Sequence, residues 1–425
     1  MRNLRRFLRW LYPGMRIKRW AALIILGLAL ASLGTLLVAN LFAYELAARV
    51  GGPWAASFWG TLASVSGVAF IIAGVRGLVR SIASAIKPHS EDKLADVVWR
   101  QRRRDSGLKV LVLGGGTGLS TMLRGLKYAS SNLAAIVAVS DDGGSSGRLR
   151  DDLGVLPPGD IRNCLAALAD AEDLMSRLLQ YRFADQSGEL SGHSLGNLLI
   201  AALTEITGDF DEAVRQMHEI LAIRGRVFPP TLTHVTLCAE LADGTHVRGE
   251  TAVSTAGNVS RVYLDPETPV ALPEAVEAIY EAQLVVIGPG SLYTSIIPNL
   301  LVPDLARALR ETSAVRAYVC NVMTQPGETD GFTASDHLAA IERHLGEPVF
   351  EFIVVNDGRP DQSVMHRYLA EGAQFVKPDV QRIAKMGYVP IRRNLISRDN
   401  WARHDPSKLS RTLLGLAEHE LAVAI

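Results

Sequence analysis

The sequence of 425 residues lacks the features that mark several common classes of protein. Its three cysteines are far apart and form no CxxC pair, which excludes a cysteine-rich zinc module and gives no sign of a disulfide framework. Basic and acidic residues balance at 44 each, so the global positive field typical of nucleic-acid binders is missing. The sequence also has no internal repeat and no low-complexity tract. These absences favour a reduced, globular main domain.

Charged side chains are missing from two long runs near the N-terminus. Residues 20–44 and residues 51–75 are each 25 residues long, uncharged, and rich in Leu, Ala, Ile and Val. A helix needs roughly 20 apolar residues to cross the hydrocarbon core of a bilayer, so each run is long enough. A short connector with Glu45 and Arg49 separates them, which predicts a transmembrane hairpin of two helices. A cleaved signal peptide or a pair of buried core helices fits less well, because both runs are long and adjacent.

Basic residues lie on the outer flank of each run. The positive-inside rule places such flanks in the cytoplasm and leaves the short connector outside. We therefore expect residues 1–80 to be a two-helix membrane anchor, residues 81–107 a basic juxtamembrane linker, and residues 108–425 a cytoplasmic main domain. Whether the linker lies against anionic lipid or is a solvated helix stays open. The flanking residues are Arg2, Arg5, Arg6, Arg9, Arg16, Lys18 and Arg19 before the first run and Arg76, Arg80, Lys87 and Lys93 after the second.

The main domain alternates short apolar runs with helical patterns. This alternation predicts a Rossmann-like α/β fold, with a doubly wound, mostly parallel sheet and helices on both faces. An Asp243-Gly244 turn between two alternating runs predicts one antiparallel hairpin in the middle. The predicted parallel strands include residues 109–113, 134–140, 284–287, 315–319 and 350–355, and the predicted helices include a long segment over 161–181 and helices over 195–204 and 210–222.

Glycine-rich and polar clusters follow these predicted strands, where ligands bind in such a sheet. The first is GGGTGLS at residues 114–120, with the candidate ligand residues Gly115, Gly116, Thr117 and Gly118. Glycines let backbone amides approach an anion, and the next helix presents its positive end. No Gly-Lys-Ser/Thr follows, and Leu119 replaces the third glycine of a dinucleotide fingerprint. The cluster therefore predicts a phosphate loop of another type, or a tight turn without a ligand.

The second cluster is SDDGGSSGRLR at residues 140–150. Its carboxylates, Asp141 and Asp142, could hold a divalent cation, contact sugar hydroxyls, or act as a base. They are the best candidates for catalytic residues, which the sequence does not identify, and for ligands of Mg²⁺. Ser145 and Arg148 are candidate anion ligands in the same loop.

Two further clusters offer candidate residues after later turns. In LPPGDIRN, residues 156–163, Asp160 is a candidate helix N-cap. In GHSLGN, residues 192–197, we favour ligand recognition by the amide of Asn197 over a nucleophile and base formed by His193 and Ser194, because sequence neighbours seldom form such a pair.

A second strand–glycine–helix unit begins with the predicted strand at residues 284–287. Its sequence, GPGSLYTS, provides Gly288, Gly290 and Ser291 as candidates for a second anion or nucleoside pocket. Asn321 follows the next predicted strand and could complete the same cleft. A turn without a ligand is again the alternative.

These clusters, in this order, resemble the YvcK-like gluconeogenesis factors of bacteria. The resemblance covers roughly residues 109–357. This group is related to the CofD-like transferases, which move a phospholactyl-type group from a guanosine diphosphate carrier to a deazaflavin with a divalent metal. The matching stretches are GGGTGLS, VSDDGGSSGRLR, LPPGDIRNCL, GHSLGNLLI, GPGSLYTSIIPNLL and NVMTQPGETDGFTASDH.

The resemblance implies a regulator that binds UDP-N-acetylglucosamine and supports cell shape and wall synthesis during gluconeogenic growth. It implies ligand contacts by residues 115–118, Asp141, Asp142 and Asn197, and partners in cell-wall synthesis. The alternative is a metal-dependent, CofD-like transferase, so whether the chain is an enzyme stays open. YvcK-like proteins are usually cytoplasmic, so the membrane hairpin is an expected addition. A homo-oligomer stays open, while a dinucleotide oxidoreductase and a nucleic-acid binder are disfavoured.

Overall fold

The computed structural model describes residues 17–38, 53–86, 107–169, 172–184, 188–223, 225–397 and 401–423. It divides the chain into two compact units, Met1–Gln101 and Arg102–Ile425. The predicted connector between the two apolar runs and most of the predicted linker lie outside the described residues.

The N-terminal unit contains two helices, α1 (Ile17–Val38) and α2 (Pro53–Ile86), which pack against each other through glycines. A Cβ atom added to Gly34 would lie 2.4 Å from the carbonyl oxygen of Gly60, so the two backbones are in direct contact. The outward surface is apolar, with Ile25, Leu28, Phe58, Trp59, Val65 and Ile72 exposed.

The apolar segments of these two helices differ in length, which decides whether each could span a membrane. Among the described residues, only Phe58–Leu78 is long and apolar enough to cross a bilayer, and the apolar part of α1, Ala22–Leu36, is shorter. One such helix is weak evidence by itself. The predicted transmembrane hairpin is therefore not confirmed.

The second unit is built on a sheet of seven strands. All neighbouring strands pair in parallel, in the order β10-β9-β8-β7-β1-β2-β3. Its central strands are continuous apolar runs buried along their length, as expected for a sheet covered on both faces. The strands of the sheet are β1 (Val110–Gly114), β2 (Leu133–Val137), β3 (Arg226–Phe228), β7 (Leu284–Ile287), β8 (Val315–Val319), β9 (Phe352–Asn356) and β10 (Val389–Arg393).

The helices fall into two sets along the chain, one after β1 and β2 and one after β3. Those after β1 and β2 are α3 (Gly116–Leu126), α4 (Gly144–Leu153), α5 (Gly159–Leu168), α6 (Glu172–Leu179), α7 (Leu195–Thr207) and α8 (Phe210–Ile220). The others are α9 (Glu250–Ala256), α10 (Pro273–Glu281), α11 (Ile297–Leu300), α12 (Pro303–Glu311), α13 (Ala334–Leu345), α14 (Gln362–Ala370), α15 (Val380–Lys385) and α16 (Pro406–Val423). A single turn of π-helix, Leu292–Ile296, leads into α11.

The strand order reverses between β1 and β7. From β1 the chain adds β2 and β3 on one side, and from β7 it adds β8, β9 and β10 on the other. Leu113 of β1 pairs in register with Ile287 of β7, so both strands end at the same level. In a doubly wound sheet, this switch point opens a crevice at the carboxyl ends of the strands. The predicted fold class, a mostly parallel Rossmann-like sheet, is confirmed.

A three-stranded antiparallel sheet interrupts the parallel one. It consists of β4 (Thr236–Leu241), β5 (His246–Arg248) and β6 (Val259–Asp265), so the hairpin predicted around Asp243-Gly244 is present. The single long helix predicted over residues 161–181 is wrong, because Ala169 leaves the helical conformation and the segment forms α5 and α6.

Candidate functional site

The glycine loops after β1 and β7 meet at the switch point and border a cavity of about 310 Å³. A Cβ atom on Gly118 would lie 2.6 Å from the carbonyl oxygen of Pro289, and one on Gly290 would lie 3.3 Å from that of Gly115. Gly116 also has a φ of +65°, which side-chain-bearing residues rarely adopt. The glycines therefore allow two backbone loops to touch at the edge of the sheet.

The first loop presents the N-terminus of α3 to this cavity. The opening amides of a helix lack intrahelical partners and carry partial positive charge. One of them, the Gly116 N–H, donates a hydrogen bond of 2.6 Å to Oδ2 of Asp160. The next two residues, Thr117 and Gly118, line the cavity, and their amides also belong to the first turn of α3, where helices bind anions.

Asp160 thus contributes a carboxylate from a different helix to the first glycine loop. Its prediction as an N-cap of its own helix is wrong, because Pro158 occupies the N-cap of α5 and Asp160 lies in the first turn. Burial raises the pKa of Asp160 to about 6, the Gly116 amide partly offsets this, and the nearby Asp141 carboxylate adds to it. The carboxyl is therefore able to gain a proton just below neutral pH.

Side chains from the segment after β8 fix the second loop. Asn321 donates from Nδ2 to the Gly290 carbonyl at 2.8 Å and accepts from the Gly290 N–H at 3.2 Å. The Gln325 side chain donates to Oγ of Ser291 at 2.5 Å. The amide of Asn321 is therefore engaged in holding the loop that it was predicted to join.

The acidic loop after β2 caps neighbouring segments. Asp141 accepts from the Gly143 N–H at 2.9 Å, while Asp142 accepts from the N–H of Thr251 at 2.9 Å and from its hydroxyl at 2.7 Å. Asp142 therefore caps the start of α9. Among the described residues no group of three His, Cys, Asp or Glu side chains is placed to hold a metal ion. The Mg²⁺ site suggested by the sequence stays a prediction, and we assign no chemical step to a metal.

Two glutamates extend this group of carboxyls, because Glu250 interacts electrostatically with the aspartates and with Glu328. Burial raises the pKa of Glu250 to about 7, and the Asp141 carboxylate adds to the shift. Burial also raises the pKa of Glu328 to about 7, although its carboxylate accepts from the Tyr293 N–H at 3.2 Å. Carboxyls that titrate near neutrality can act as proton donors or acceptors.

A buried chain of hydrogen bonds connects α5, α7 and α4. Nη1 of Arg162 donates to Oδ1 of Asn197 at 2.9 Å, and Nδ2 of Asn197 donates to Oγ of Ser145 at 3.1 Å. Ser145 in turn lies 3.0 Å from Nδ1 of His193. Burial, with a contribution from Arg148, lowers the pKa of His193, so the neutral ring can accept the Ser145 proton.

This chain changes the interpretation of the GHSLGN motif. Both ends of the Asn197 amide are occupied by protein groups, so in this structure Asn197 orients helices and does not line the crevice. His193 bonds to Ser145, while Ser194 accepts from the Asn197 N–H and caps α7. No nucleophile–base pair forms between the two sequence neighbours.

The structure separates the predicted site residues into two groups. Those that line the crevice are Gly115, Gly116, Thr117, Gly118, Gly290, Ser291 and Asn321. Gly288 precedes the second loop with a φ of +77°. Asp141, Asp142, Ser145 and Asn197 lie outside the lining, and the exposed Arg148 donates to the carbonyl of Ser191 at 2.6 Å.

Sequence reasoning missed the half of the crevice that lies away from the glycine loops. Its side chains come from α3, α14, α16 and the segments after β8 and before α16, and no glycine or spacing pattern marks them. His404 donates from Nε2 to the Cys320 carbonyl at 3.0 Å, and burial lowers its pKa to about 4, so the ring is neutral. This half is lined by Met122, Val322, Met323, Tyr368, Ala402, Arg403, His404 and Leu409.

Arg403, which lines this half, contacts an aromatic ring outside the lining. Arg403 lies 5.0 Å, and Arg367 6.0 Å, from the ring centroid of Trp401. The crevice therefore combines backbone amides at one end with apolar and cationic groups suited to a planar ring at the other.

Comparison with known proteins identifies relatives of the α/β unit. Residues 110–396 match the model of the family described as 2-phospho-L-lactate transferase CofD. A crystal structure of a UPF0052 family member from Bacillus halodurans superposes with a TM-score of 0.70 at 46% identity, over 73% of this chain and 100% of that one.

Relatives named gluconeogenesis factors match at similar identity. The protein from Bacillus subtilis is 47% identical over 72% of this chain and 98% of its own length. The one from Nostoc sp. is 45% identical over 97% of this chain and 93% of its own length, so that match must include most of the N-terminal unit. The N-terminal unit is thus shared with some relatives and is not peculiar to this chain. The chain belongs to the CofD/YvcK family, among the proteins named gluconeogenesis factors.

Proposed function

We propose that the protein binds a nucleotide sugar, UDP-N-acetylglucosamine, in the switch-point crevice. The observation that carries the proposal is the contact between two glycine loops at the carboxyl ends of β1 and β7, with an apolar, partly cationic half beside them. A volume of about 310 Å³ lies at the lower end of the range of roughly 300–1,000 Å³ for small-molecule sites.

Each part of such a ligand has a matching group in the crevice. The amides of Thr117 and Gly118, at the positive end of α3, suit a diphosphate. The base has Tyr368 and Met323 as an apolar surface and Arg403 as a cationic neighbour. Asp160, which is bonded to the first loop through the Gly116 N–H, is our candidate hydrogen-bond partner for the sugar hydroxyls.

Titration calorimetry on the full chain in detergent tests this proposal. We expect heat from UDP-N-acetylglucosamine, weaker binding of UDP, and the weakest binding of free N-acetylglucosamine, because the diphosphate and base supply most contacts. GDP and GDP-sugars serve as the matched comparison of bases. Absence of binding by every nucleotide at millimolar concentration would overturn the proposal.

We also propose that the N-terminal unit anchors the protein in the cytoplasmic membrane. The support is that α1 and α2 pack against each other through glycines and expose apolar side chains outward. In addition, α2 is long enough to span a bilayer. The basic flanks then place the α/β unit in the cytoplasm. Carbonate extraction of membranes should leave the chain in the pellet. Release of the intact chain into the carbonate supernatant would contradict the anchor.

The cellular role that we propose is regulation of cell shape and wall synthesis during gluconeogenic growth, through contact with wall-synthesis proteins. Its support is the name shared by the relatives, together with the resemblance of the glycine-rich clusters to YvcK-like factors. Expression of this chain in a Bacillus subtilis strain that lacks its gluconeogenesis factor should restore growth on a gluconeogenic carbon source. Normal chain levels without any restoration would count against this role.

A CofD-like transferase is the second candidate function. The observation in its favour is the cluster of carboxyls whose pKa values lie near neutrality, Asp160, Glu250 and Glu328, beside the crevice. The test incubates the chain with nucleoside-diphosphate-linked donors and with a deazaflavin acceptor, and follows nucleotide release. Transfer that disappears in Glu250→Gln would favour the enzyme, whereas ligand binding without nucleotide release would favour the regulator.

A further inference from the structure

The carboxylate of Asp160 lies against the part of the crevice where we place the diphosphate. Its Oδ2 accepts from the Gly116 N–H at 2.6 Å, and Gly116 begins the first turn of α3. A Cβ atom on Gly115 would lie 2.6 Å from the same oxygen, so the carboxylate is in direct contact with the backbone of the first glycine loop. A negative charge of the protein itself therefore occupies the positive end of α3.

A diphosphate bound at the same helix end would bring further negative charge next to this carboxylate. Thr117 and Gly118 follow Gly116 directly and line the crevice. Successive residues of a helix rise by only about 1.5 Å along its axis, so an anion held by their amides is a close neighbour of Asp160. Two negative groups that share a site shielded from water do not both stay ionised. The carboxyl is the weaker acid of the two, so it is the group that gains the proton.

The charged groups around Asp160 do not balance such a ligand. Among the described residues, Arg162 is the cation that acts on the Asp160 carboxyl. Its guanidinium donates to Oδ1 of Asn197 at 2.9 Å and to Oδ1 of Asn163 at 3.0 Å, so uncharged partners hold it. Asp141, in the loop after β2, adds a second negative charge. One guanidinium does not balance two carboxylates and a diphosphate.

Two further groups near Asp160 are neutral. The thiol of Cys164 stays protonated, because burial and the Asp160 charge raise its pKa well above the usual range. The hydroxyl of Ser295, in the π-helical turn, lies 3.1 Å from the position of a Gly115 Cβ. Burial raises the pKa of Asp160 to about 6, and Asp141 adds to the rise. At pH 7 this carboxyl is still mostly ionised, and a further negative charge beside it is enough to add a proton.

We propose that the diphosphate of the ligand binds together with one proton, which Asp160 takes up from the solvent. The proton adds to Oδ1, so Oδ2 continues to accept from the Gly116 N–H and the new O–H becomes a hydrogen-bond donor. The inference rests on the proposed function, because it needs an anionic ligand at the first loop. The complex then holds one proton more than the separate chain and ligand. Affinity is therefore highest at low pH and falls as the pH rises above about 6.

Titration calorimetry of the full chain in detergent measures this proton directly. UDP-N-acetylglucosamine is the probe, because its phosphodiesters stay ionised near neutral pH, whereas the terminal phosphate of UDP titrates near pH 6. At pH 7, the apparent binding enthalpies in PIPES and in imidazole should differ by the amount that corresponds to about one proton taken up per ligand. Affinity should fall about fivefold or more between pH 7 and pH 8. EDTA is present throughout, so no divalent cation supplies the missing charge.

Variants then assign the proton to a residue. Asp160→Asn keeps an oxygen that can accept from the Gly116 N–H but cannot gain the proton, so binding should continue with almost no uptake. Its affinity at pH 8 should exceed that of the parent chain by about tenfold or more, because the repulsion is gone. The matched control is the exposed Asp151→Asn, which should take up the proton as the parent chain does.

The possible outcomes separate this inference from the proposed function. Binding to the parent chain without proton uptake would overturn the inference alone, whether or not the variants fold. Uptake that persists in Asp160→Asn and disappears in Glu250→Gln or Glu328→Gln would assign the proton to another carboxyl and also overturn it. Binding that requires added Mg²⁺ would show that a cation offsets the charge instead. Absence of any binding would overturn the proposed function and this inference with it.

Discussion

At the scale of single residues, the crevice depends on carboxylates that occupy positions where an anion would otherwise sit. Asp160 accepts from the Gly116 N–H of the glycine loop, and Glu328 accepts from the Tyr293 N–H and the Thr294 hydroxyl in the π-helical turn after the second loop. Both side chains are buried, and both pKa values are raised towards neutrality. They hold the two loops in place, at the cost of burying negative charge.

Asp160 should make stability depend on pH. Its pKa rises from 3.8 to about 6 on folding, so its contribution is fully present below pH 3.8 and is lost as the pH rises to 6. The shift corresponds to about 3 kcal/mol in the free energy of unfolding. In Asp160→Asn the decline in stability should shrink by this amount and only the part caused by Glu250 and Glu328, between about pH 4.5 and 7, should remain, while the exposed control Asp151→Asn should keep the full decline. A decline of the same size in Asp160→Asn would show that other groups cause it.

Gly118 should be a position where one methyl group disrupts the site. In Gly118→Ala the added Cβ would lie 2.6 Å from the Pro289 carbonyl oxygen, so the two loops must separate. We expect affinity for UDP-N-acetylglucosamine to fall about tenfold or more, equivalent to ~1.4 kcal/mol. Gly415→Ala is the matched control, since nothing lies within 4 Å of its Cβ. Calorimetry that finds both variants binding like the parent chain would show that the loop contact does not shape the site.

At the scale of elements, α5, α7 and α4 are joined by the Arg162–Asn197–Ser145–His193 chain. Asn197→Ala would leave Arg162 and Ser145 without their shared partner in a buried site. Such a loss costs about 1–3 kcal/mol, so we expect a lower melting temperature with ligand affinity changed less than threefold. The exposed Glu219→Ala on α8 is the control. A large loss of affinity at unchanged stability would instead support direct recognition of the ligand by Asn197.

The elements that the sequence predicts best are the strands buried on both faces. The runs at residues 284–287 and 315–319 match β7 and β8, because central parallel strands are continuous apolar runs. The edge strands β3 and β10 were not predicted, since β3 has three residues and β10 contains Pro390 and two arginines.

The sequence predicts one half of the candidate site and not the other. The half formed by the glycine loops could be predicted, because glycine directly after a buried strand indicates a tight turn whose backbone can approach a phosphate. The other half depends on which distant segments the fold brings together. Tyr368 on α14 and His404 before α16 are separated in sequence from the loops they face, and neither carries a local pattern. The roles of Asp160 and Asn197 were equally hidden, because their partners lie on other helices.

At the scale of the whole molecule, we expect the N-terminal unit to attach the protein to the membrane and the α/β unit to bind the ligand. The crystal structure from Bacillus halodurans covers 73% of this chain and all of that one, so a relative folds without the N-terminal unit. We therefore expect a chain that begins at Gly107 to be soluble and to bind UDP-N-acetylglucosamine within about twofold of the full chain, since every residue of the crevice lies beyond that point. The full chain should pellet with membranes. Weak binding by the folded, soluble fragment would mean that the anchor, or the membrane it enters, contributes to the site.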